Sequence, residues 1–234
     1  MADNKGLLYE NDLNASLKKS GLEKSTFQGA GSDSNAPDAE ITFKGKDYKV
    51  EVKLDPYVDF GQGSFDYDLK KDKWTLGGAN TESAEQMREF LTSIGVLKFA
   101  QRVWGPKGAP RKFTVPTNQY KPEDVKFDYA NFKDAFIDVP SDAVANYYNT
   151  KKTYYIQIGG GFGFYYMGSD PAKLDIPEFN LKLKVRIRIK RGGSNPIYNY
   201  RFTTAIQAVK GSLKKSSANL DDPTYLKALY ARSK

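Results

Sequence analysis

The segment PDAEITFKGKDYKVEVKL, running from Pro37 to Leu54, decides how the chain is read. Ala39, Ile41 and Phe43 alternate with Asp38, Glu40 and Thr42; beyond Lys44-Gly-Lys-Asp47, Tyr48, Val50, Val52 and Leu54 alternate with Lys49, Glu51 and Lys53. A period of two in both runs, with a glycine between them, predicts a β-hairpin. Gly45 suits the first central position of the tight turn. Centring the turn on Gly45 and Lys46 puts Asp38 opposite Lys53 and Glu40 opposite Glu51. These four side chains then leave one face, and Ile41, Phe43, Val50 and Val52 cover the other.

Carboxylates brought this close repel one another and are stabilised by a divalent cation with oxygen preference, Mg²⁺ or Mn²⁺. Such an ion can take a phosphate oxygen and a water and lower the water's pKa, with Lys53 orienting or deprotonating that water. An acidic residue two before a lysine says little alone, since Asp47-Tyr-Lys49, Asp68-Leu-Lys70 and Asp124-Val-Lys126 share it. The discriminating pattern is Pro37-Asp38 at a strand start, a tight turn, and Glu51-Val-Lys53 returning on the facing strand. The competing reading is an exposed hairpin face with ordinary cross-strand charge pairs.

Composition narrows the chemistry further. The 234 residues contain no cysteine and no histidine. That excludes thiolate nucleophiles, disulfides, zinc knuckles, histidine bases and Ser-His-Asp triads, leaving carboxylates, lysine, tyrosine or an oxygen-held metal. With 39% hydrophobic and 14% aromatic residues there is material for one core, or one core plus an appendage. No membrane-length apolar run and no signal-peptide core is visible, so we expect a soluble cytoplasmic protein. Residues 179–234 hold 13 Lys or Arg against 2 Asp or Glu, a local net of +11 that leaves −3 for residues 1–178 out of the +8 total. This asymmetry suggests a polyanion-binding carboxyl-terminal part behind an acidic front.

Upstream of the hairpin, Leu7, Leu8, Leu13 and Leu17 predict a helix over residues 6–19, stopped by Gly21. Glu10 lies on the same stripe, where it needs a partner unless it sits at the margin in solvent. A small-residue loop fills 29–36. Downstream, residues 55–79 read as a long loop or irregular hairpin. A helical segment over 83–104 opens on a Ser83 and Gln86 capping box and is kinked or split at Gly95. Residues 105–149 read as an insertion with a short helix around 129–136. Strands are expected over 154–158, 162–167, 181–190 and 197–206, and a terminal helix over 222–232.

The order of a helix with Glu10, then Gly31-Ser-Asp-Ser-Asn-Ala-Pro-Asp38, then Glu51-Val-Lys53, resembles the PD-(D/E)XK nuclease superfamily. Lys5-Gly6, Tyr9-Glu10, Leu13, Leu17 and Gly21 make the front end similar to archaeal Holliday-junction resolvases. The resemblance covers residues 5–55 and implies a restriction-endonuclease-like α/β (α+β) core, a mixed central sheet flanked by helices. It implies Asp38, Glu51, Lys53 and Glu10 as catalytic residues and Asp38, Glu51, Val52 and Glu10 as metal ligands. Ser32 or Ser34 becomes a phosphate contact and Gln62 an assisting polar residue. Resolvases are usually shorter, and where they commonly carry an arginine after the helix glutamate this chain has Asn11. The departure favours a restriction- or homing-type relative with its own recognition part.

Such a part is at hand. Lys182, Lys184, Arg186, Arg188 and Lys190 alternate with Leu181, Leu183, Val185, Ile187 and Ile189, setting five cations on one strand face at a spacing of roughly 6.6–6.8 Å, near that of phosphates along one DNA strand. Tyr198, Tyr200 and Arg201 on the next strand would add stacking or base contacts. The bland alternative is a solvated face. The expected organisation is a nuclease core over 1–104, an insertion over 105–150, and a basic β-rich part over 151–234 that completes the sheet, binds DNA, or both. The expected activity is Mg²⁺-dependent cleavage of double-stranded or branched DNA, as monomer or homodimer. A structure-specific resolvase, a non-catalytic DNA-binding protein on the same fold, and an RNA-binding or capsid-associated structural protein that leaves the hairpin carboxylates idle are the alternatives.

Overall fold

Lys44 and Gly45 both take positive φ, 48° and 74°, which is the two-residue type I′ turn that matches the twist of antiparallel strands. It joins β1 (Ala39–Phe43) to β2 (Lys46–Lys53). Ala39 pairs with Val50, Ile41 with Tyr48 and Phe43 with Lys46. This corrects the register expected from the sequence by two residues: Glu40 faces Lys49 rather than Glu51, and one step beyond the last pair Asp38 comes level with Glu51 rather than Lys53. Two residues is the side-chain period, so each side chain keeps its face. Ala39, Ile41, Phe43, Val50 and Val52 are all buried.

The computed structural model describes residues 4–24, 27, 36–68, 73–77, 81–105, 121–140, 142–191 and 200–234. The remaining elements are α1 (Lys5–Ser20), β3 (Gly61–Asp68), β4 (Lys73–Gly77), α2 (Glu82–Ser93), α3 (Val96–Trp104), α4 (Pro122–Phe132), β5 (Ala135–Asp138), α5 (Ala143–Thr150), β6 (Thr153–Ile158), β7 (Gly163–Tyr166), β8 (Leu183–Arg191), β9 (Tyr200–Ala208) and α6 (Pro223–Arg232). The fold is mixed α+β with two sheets. No helix among the described residues is long and apolar enough to cross a membrane.

The chain forms two discontinuous compact units, which cut across the sequential division expected from the sequence. The first comprises Met1–Val58, Pro140–Lys182 and Ala208–Lys234. Its sheet runs β1-β2-β6-β7, with β2 parallel to β6 and the other pairs antiparallel. A parallel pair needs a crossover, and α5 leads directly into β6. Leu13 and Leu17 of α1, Leu226 and Leu229 of α6, and Leu174, Ile176 and Leu220 pack with the apolar residues of β1 and β2.

The second unit comprises Asp59–Val139 and Leu183–Gln207, with sheet order β4-β3-β9-β8-β5. The segment over 55–79, read as a long loop or irregular hairpin, contains the second of these, β3 paired antiparallel with β4. Helix α2 lies close on β3, where a Cβ at Gly61 or Gly63 would run into Met87 or Leu91. Thr81, not Ser83, caps α2 by accepting from the Ala84 N–H at 3.3 Å, and the break before α3 falls at Gly95, with φ 100°. The expected short helix around 129–136 is α4 followed by strand β5. Trp104 stacks on Phe132 (3.9 Å) and Phe202 (5.0 Å), and Trp74 on Phe202 (4.6 Å), so aromatic rings dominate this unit's core.

Candidate active site

Because β1 begins at Ala39, the Val52 N–H of β2 lies beyond the backbone ladder. The Asp38 carboxylate takes its place, Oδ2 accepting from Val52 N at 2.9 Å. On a strand the N–H and C=O of one residue point to the same side. The Val52 carbonyl therefore points past the start of β1, beside Asp38. The Lys53 carbonyl points the other way and accepts from Gly159 N at 2.8 Å. Asn14 of α1 fixes the approach of Asp38, its Nδ2 donating to the Asp38 carbonyl at 2.9 Å.

Glu51 stands level with Asp38 on the same face. Its Oε1 accepts from the Tyr148 hydroxyl at 2.9 Å and pairs with Lys53 Nζ at 2.5 Å. Both members of that ion pair keep under a fifth of their side-chain surface. Burial, then the Glu51 charge, pushes the Asp38 carboxyl up to about 7, against the pull of Lys53 and of the Val52 N–H. Glu10 of α1 is raised as well, by burial first, with Lys53 opposing and Glu51 adding. Burial works against the Lys53 ammonium, but Glu51, Asp38 and Glu10 outweigh it and hold its pKa above the usual lysine value. The site therefore brings together Asp38, Glu51, Lys53 and Glu10, with more negative charge than its burial favours.

Among the described residues, no three acidic side chains draw close enough to cage a cation by themselves. Mg²⁺ does not require such a cage: it keeps several waters and binds through one or two carboxylates plus substrate phosphates. Asp38, Glu51 and the Val52 carbonyl are an all-oxygen set of that size, and a cation at this point would relieve the raised Asp38 pKa. The residues fit a hard divalent ion.

Three contributors escaped the sequence reading. Tyr148 and Lys151 belong to the stretch read as an insertion and its edge; Val144, Tyr147 and Tyr148, three and four apart, are the signal of a helix there. Lys151 is lowered by burial while the charges of Glu51 and Asp38 act to raise it, which places it in the same electrostatic neighbourhood. The third is a partly buried network next to Glu10, centred on Gln157, whose Nε2 donates to the Tyr9 hydroxyl at 3.2 Å. The Tyr9 hydroxyl donates to Asp221 (2.9 Å), Gln157 Nε2 donates to Asn219 Oδ1 (2.8 Å), and Gln157 Oε1 accepts from Leu220 N (3.1 Å). Gln157 is fully buried, so this network ties α1, and with it Glu10, to β6.

The remaining candidates stand elsewhere. Ser32, Ser34 and Tyr198 lie outside the described residues, as do the side chains of Lys190, Tyr200 and Arg201. Gln62 belongs to the second unit, where its amide donates to Asp59 at 2.7 Å. Lys182 is exposed in the first unit, one residue before β8. Lys184, Arg186 and Arg188 do share one face of β8, with Leu183, Val185, Ile187 and Ile189 buried on the other. All three have partners within the second unit. Arg188 Nε donates to Asp134 Oδ1 at 2.6 Å, Arg186 approaches the same oxygen at 3.9 Å, and Lys184 lies over the Phe136 ring at 4.0 Å. Comparison of the chain with family models, curated proteins and solved structures finds no match.

Proposed function

We propose that the protein is a Mg²⁺- or Mn²⁺-dependent DNA endonuclease of the PD-(D/E)XK type. The observation that carries this reading is the convergence of Asp38, Glu51 and Lys53 on one face where β1 begins, beside a main-chain carbonyl. A divalent ion held there by Asp38, Glu51 and the Val52 carbonyl would polarise a phosphate oxygen and acidify a water. Lys53, held protonated by its carboxylate neighbours, acts as a cation that orients the attacking water and offsets charge on the phosphate, not as a base. Glu10, whose carboxyl burial pushes up from its ordinary value, is the group we assign to receive the water's proton. Tyr148 fixes the Glu51 carboxylate. Lys182, Lys184, Arg186, Arg188 and Lys190 support DNA binding, with Asp134 competing for two of them.

The test is incubation with supercoiled plasmid, linear duplex and a four-way junction, with Mg²⁺ or EDTA. Cleavage is expected with Mg²⁺ alone. Asp38→Ala and Glu51→Ala should remove it while DNA binding persists, and Lys53→Ala should be nearly as severe. Undiminished turnover in the Asp38 or Glu51 variant would refute the assignment.

A further inference from the structure

The carboxyl ends of the parallel strands β2 and β6 lie at one edge of the first sheet, and two loops leave it there. Such an edge is where α/β proteins place ligands. The loop after β2 presents Tyr57, a residue 52% exposed. An Asx turn sets its backbone, Tyr57 N donating to Asp55 Oδ1 at 2.6 Å. The loop after β6 is Gly159-Gly-Gly-Phe162. Gly159 fits only without a side chain, because a Cβ would collide with the Leu54 carbonyl, and Gly160 and Gly161 have φ of 64° and 74°. The Phe162 ring meets Tyr57 edge to face, with centroids 6.5 Å apart and planes at 86°. Lys215 Nζ lies 5.7 Å from the centroid of Phe162. The strand of chain that carries this lysine is pinned: Ser216 N donates to the Phe162 carbonyl at 2.7 Å, and the buried Tyr165 hydroxyl donates to the Lys214 carbonyl at 2.7 Å.

An exposed aromatic braced by a second ring, with an ammonium alongside and a backbone bare of side chains, is what a nucleotide needs. The base stacks on the ring, the phosphate meets the cation, and the glycines admit the sugar-phosphate chain. Tyr57 follows Lys53 by four residues, so the two Cα atoms are separated by at most roughly 14 Å, a few nucleotides or fewer. A base inside continuous duplex keeps its faces stacked on its neighbours and cannot use such a ring. We propose that Tyr57, Phe162 and Lys215 seat an unpaired nucleotide beside the bond that is cut, which makes the substrate DNA with a single-stranded segment at the cleavage point. The position relative to the cut rests on the nuclease reading above; the seat itself does not.

Binding is measured by anisotropy in EDTA with the full chain, using a labelled oligothymidine and a blunt duplex of equal length. Tyr57→Ala should weaken the single strand by about tenfold, as loss of one base stack does, and Tyr57→Trp should restore it. Lys215→Gln should weaken it and reduce the salt dependence by about one phosphate. The blunt duplex should change by less than about twofold in either variant. Wild-type oligothymidine affinity in both Tyr57→Ala and Lys215→Gln overturns the seat, and so does equal weakening of duplex and single strand. With Mg²⁺, the wild type should cut a splayed duplex faster than a blunt one, and Tyr57→Ala should lose that preference. A protein that binds oligothymidine through Tyr57 yet never cuts keeps the seat and refutes the nuclease, whereas cleavage without a Tyr57 effect refutes the seat alone.

Discussion

Glu51 is held from two sides, by the ammonium of Lys53 and by the hydroxyl of Tyr148, and the two donors separate charge from orientation. Tyr148→Phe removes only the hydroxyl from a buried ring, so the pocket keeps its shape. A buried hydrogen bond contributes about 0.5–1.5 kcal/mol net, so kcat should fall by roughly two- to tenfold. KM should stay put, because the hydroxyl touches the carboxylate and not the substrate. An unchanged kcat in single-turnover measurements would mean that Lys53 alone orients Glu51. Glu23 supplies a second residue-scale prediction, away from the site. Its side chain has no exposed surface, and burial pushes its pKa from 4.5 up to about 7, with Lys18 opposing. Between those values the folded state holds a proton that the unfolded state has released, so stability falls as pH rises through this window. Glu23→Gln should match the wild type near pH 4 and exceed it at pH 8, by at most roughly 3.5 kcal/mol at about 1.4 kcal/mol per pKa unit. Denaturant titration at both pH values checks this, and equal stability at pH 8 would show that the carboxylate is solvated.

The hairpin shows what an element reveals in sequence. Its two faces were legible because alternation fixes them, and a slip of two residues leaves them untouched. The register was not, because a lysine at positive φ before glycine is not among the favoured type I′ residues and nothing local announces it. Helix α1, with Gly21 as its left-handed stop at φ 77°, was legible for the same reason as the strands: period plus terminator. Strand β8 was legible in its alternation but not in its partners, since Asp134 lies some fifty residues upstream and reaches Arg188 only through the pairing of β5 with β8. That pairing changes what should be mutated. Asp134→Asn frees Arg186 and Arg188 for phosphates, so duplex affinity should rise by a few fold and the salt slope should steepen by about one to two contacts. Arg186→Gln with Arg188→Gln should do the reverse. If neither moves the slope, β8 is a solvated face.

Neither unit is contiguous in the chain, and that is why the molecular organisation escaped the sequence. The parallel partner of β2 lies about a hundred residues later, and β3 and β4 join strands from the far end of the chain. Periodicity is local and does not encode such pairings. The division does supply a control for the metal. Both tryptophans, Trp74 and Trp104, belong to the second unit, whereas Asp38 and Glu51 belong to the first. Tryptophan emission therefore reports that the second unit remains folded in variants of the site. An ion that binds only the folded protein stabilises it by about 2.7 kcal/mol at a hundred times its Kd, which is on the order of 5–10 °C in Tm for a body of this size. Mg²⁺ or Mn²⁺ should raise the wild-type Tm accordingly, and more at pH 8 than at pH 5.5, because at the lower pH a proton competes for Asp38. Asp38→Asn and Glu51→Gln should keep native tryptophan emission and lose the metal-dependent rise. A shift of wild-type size in both variants would place the cation elsewhere, and the carboxylates at the end of β2 would then be no more than a charge cluster.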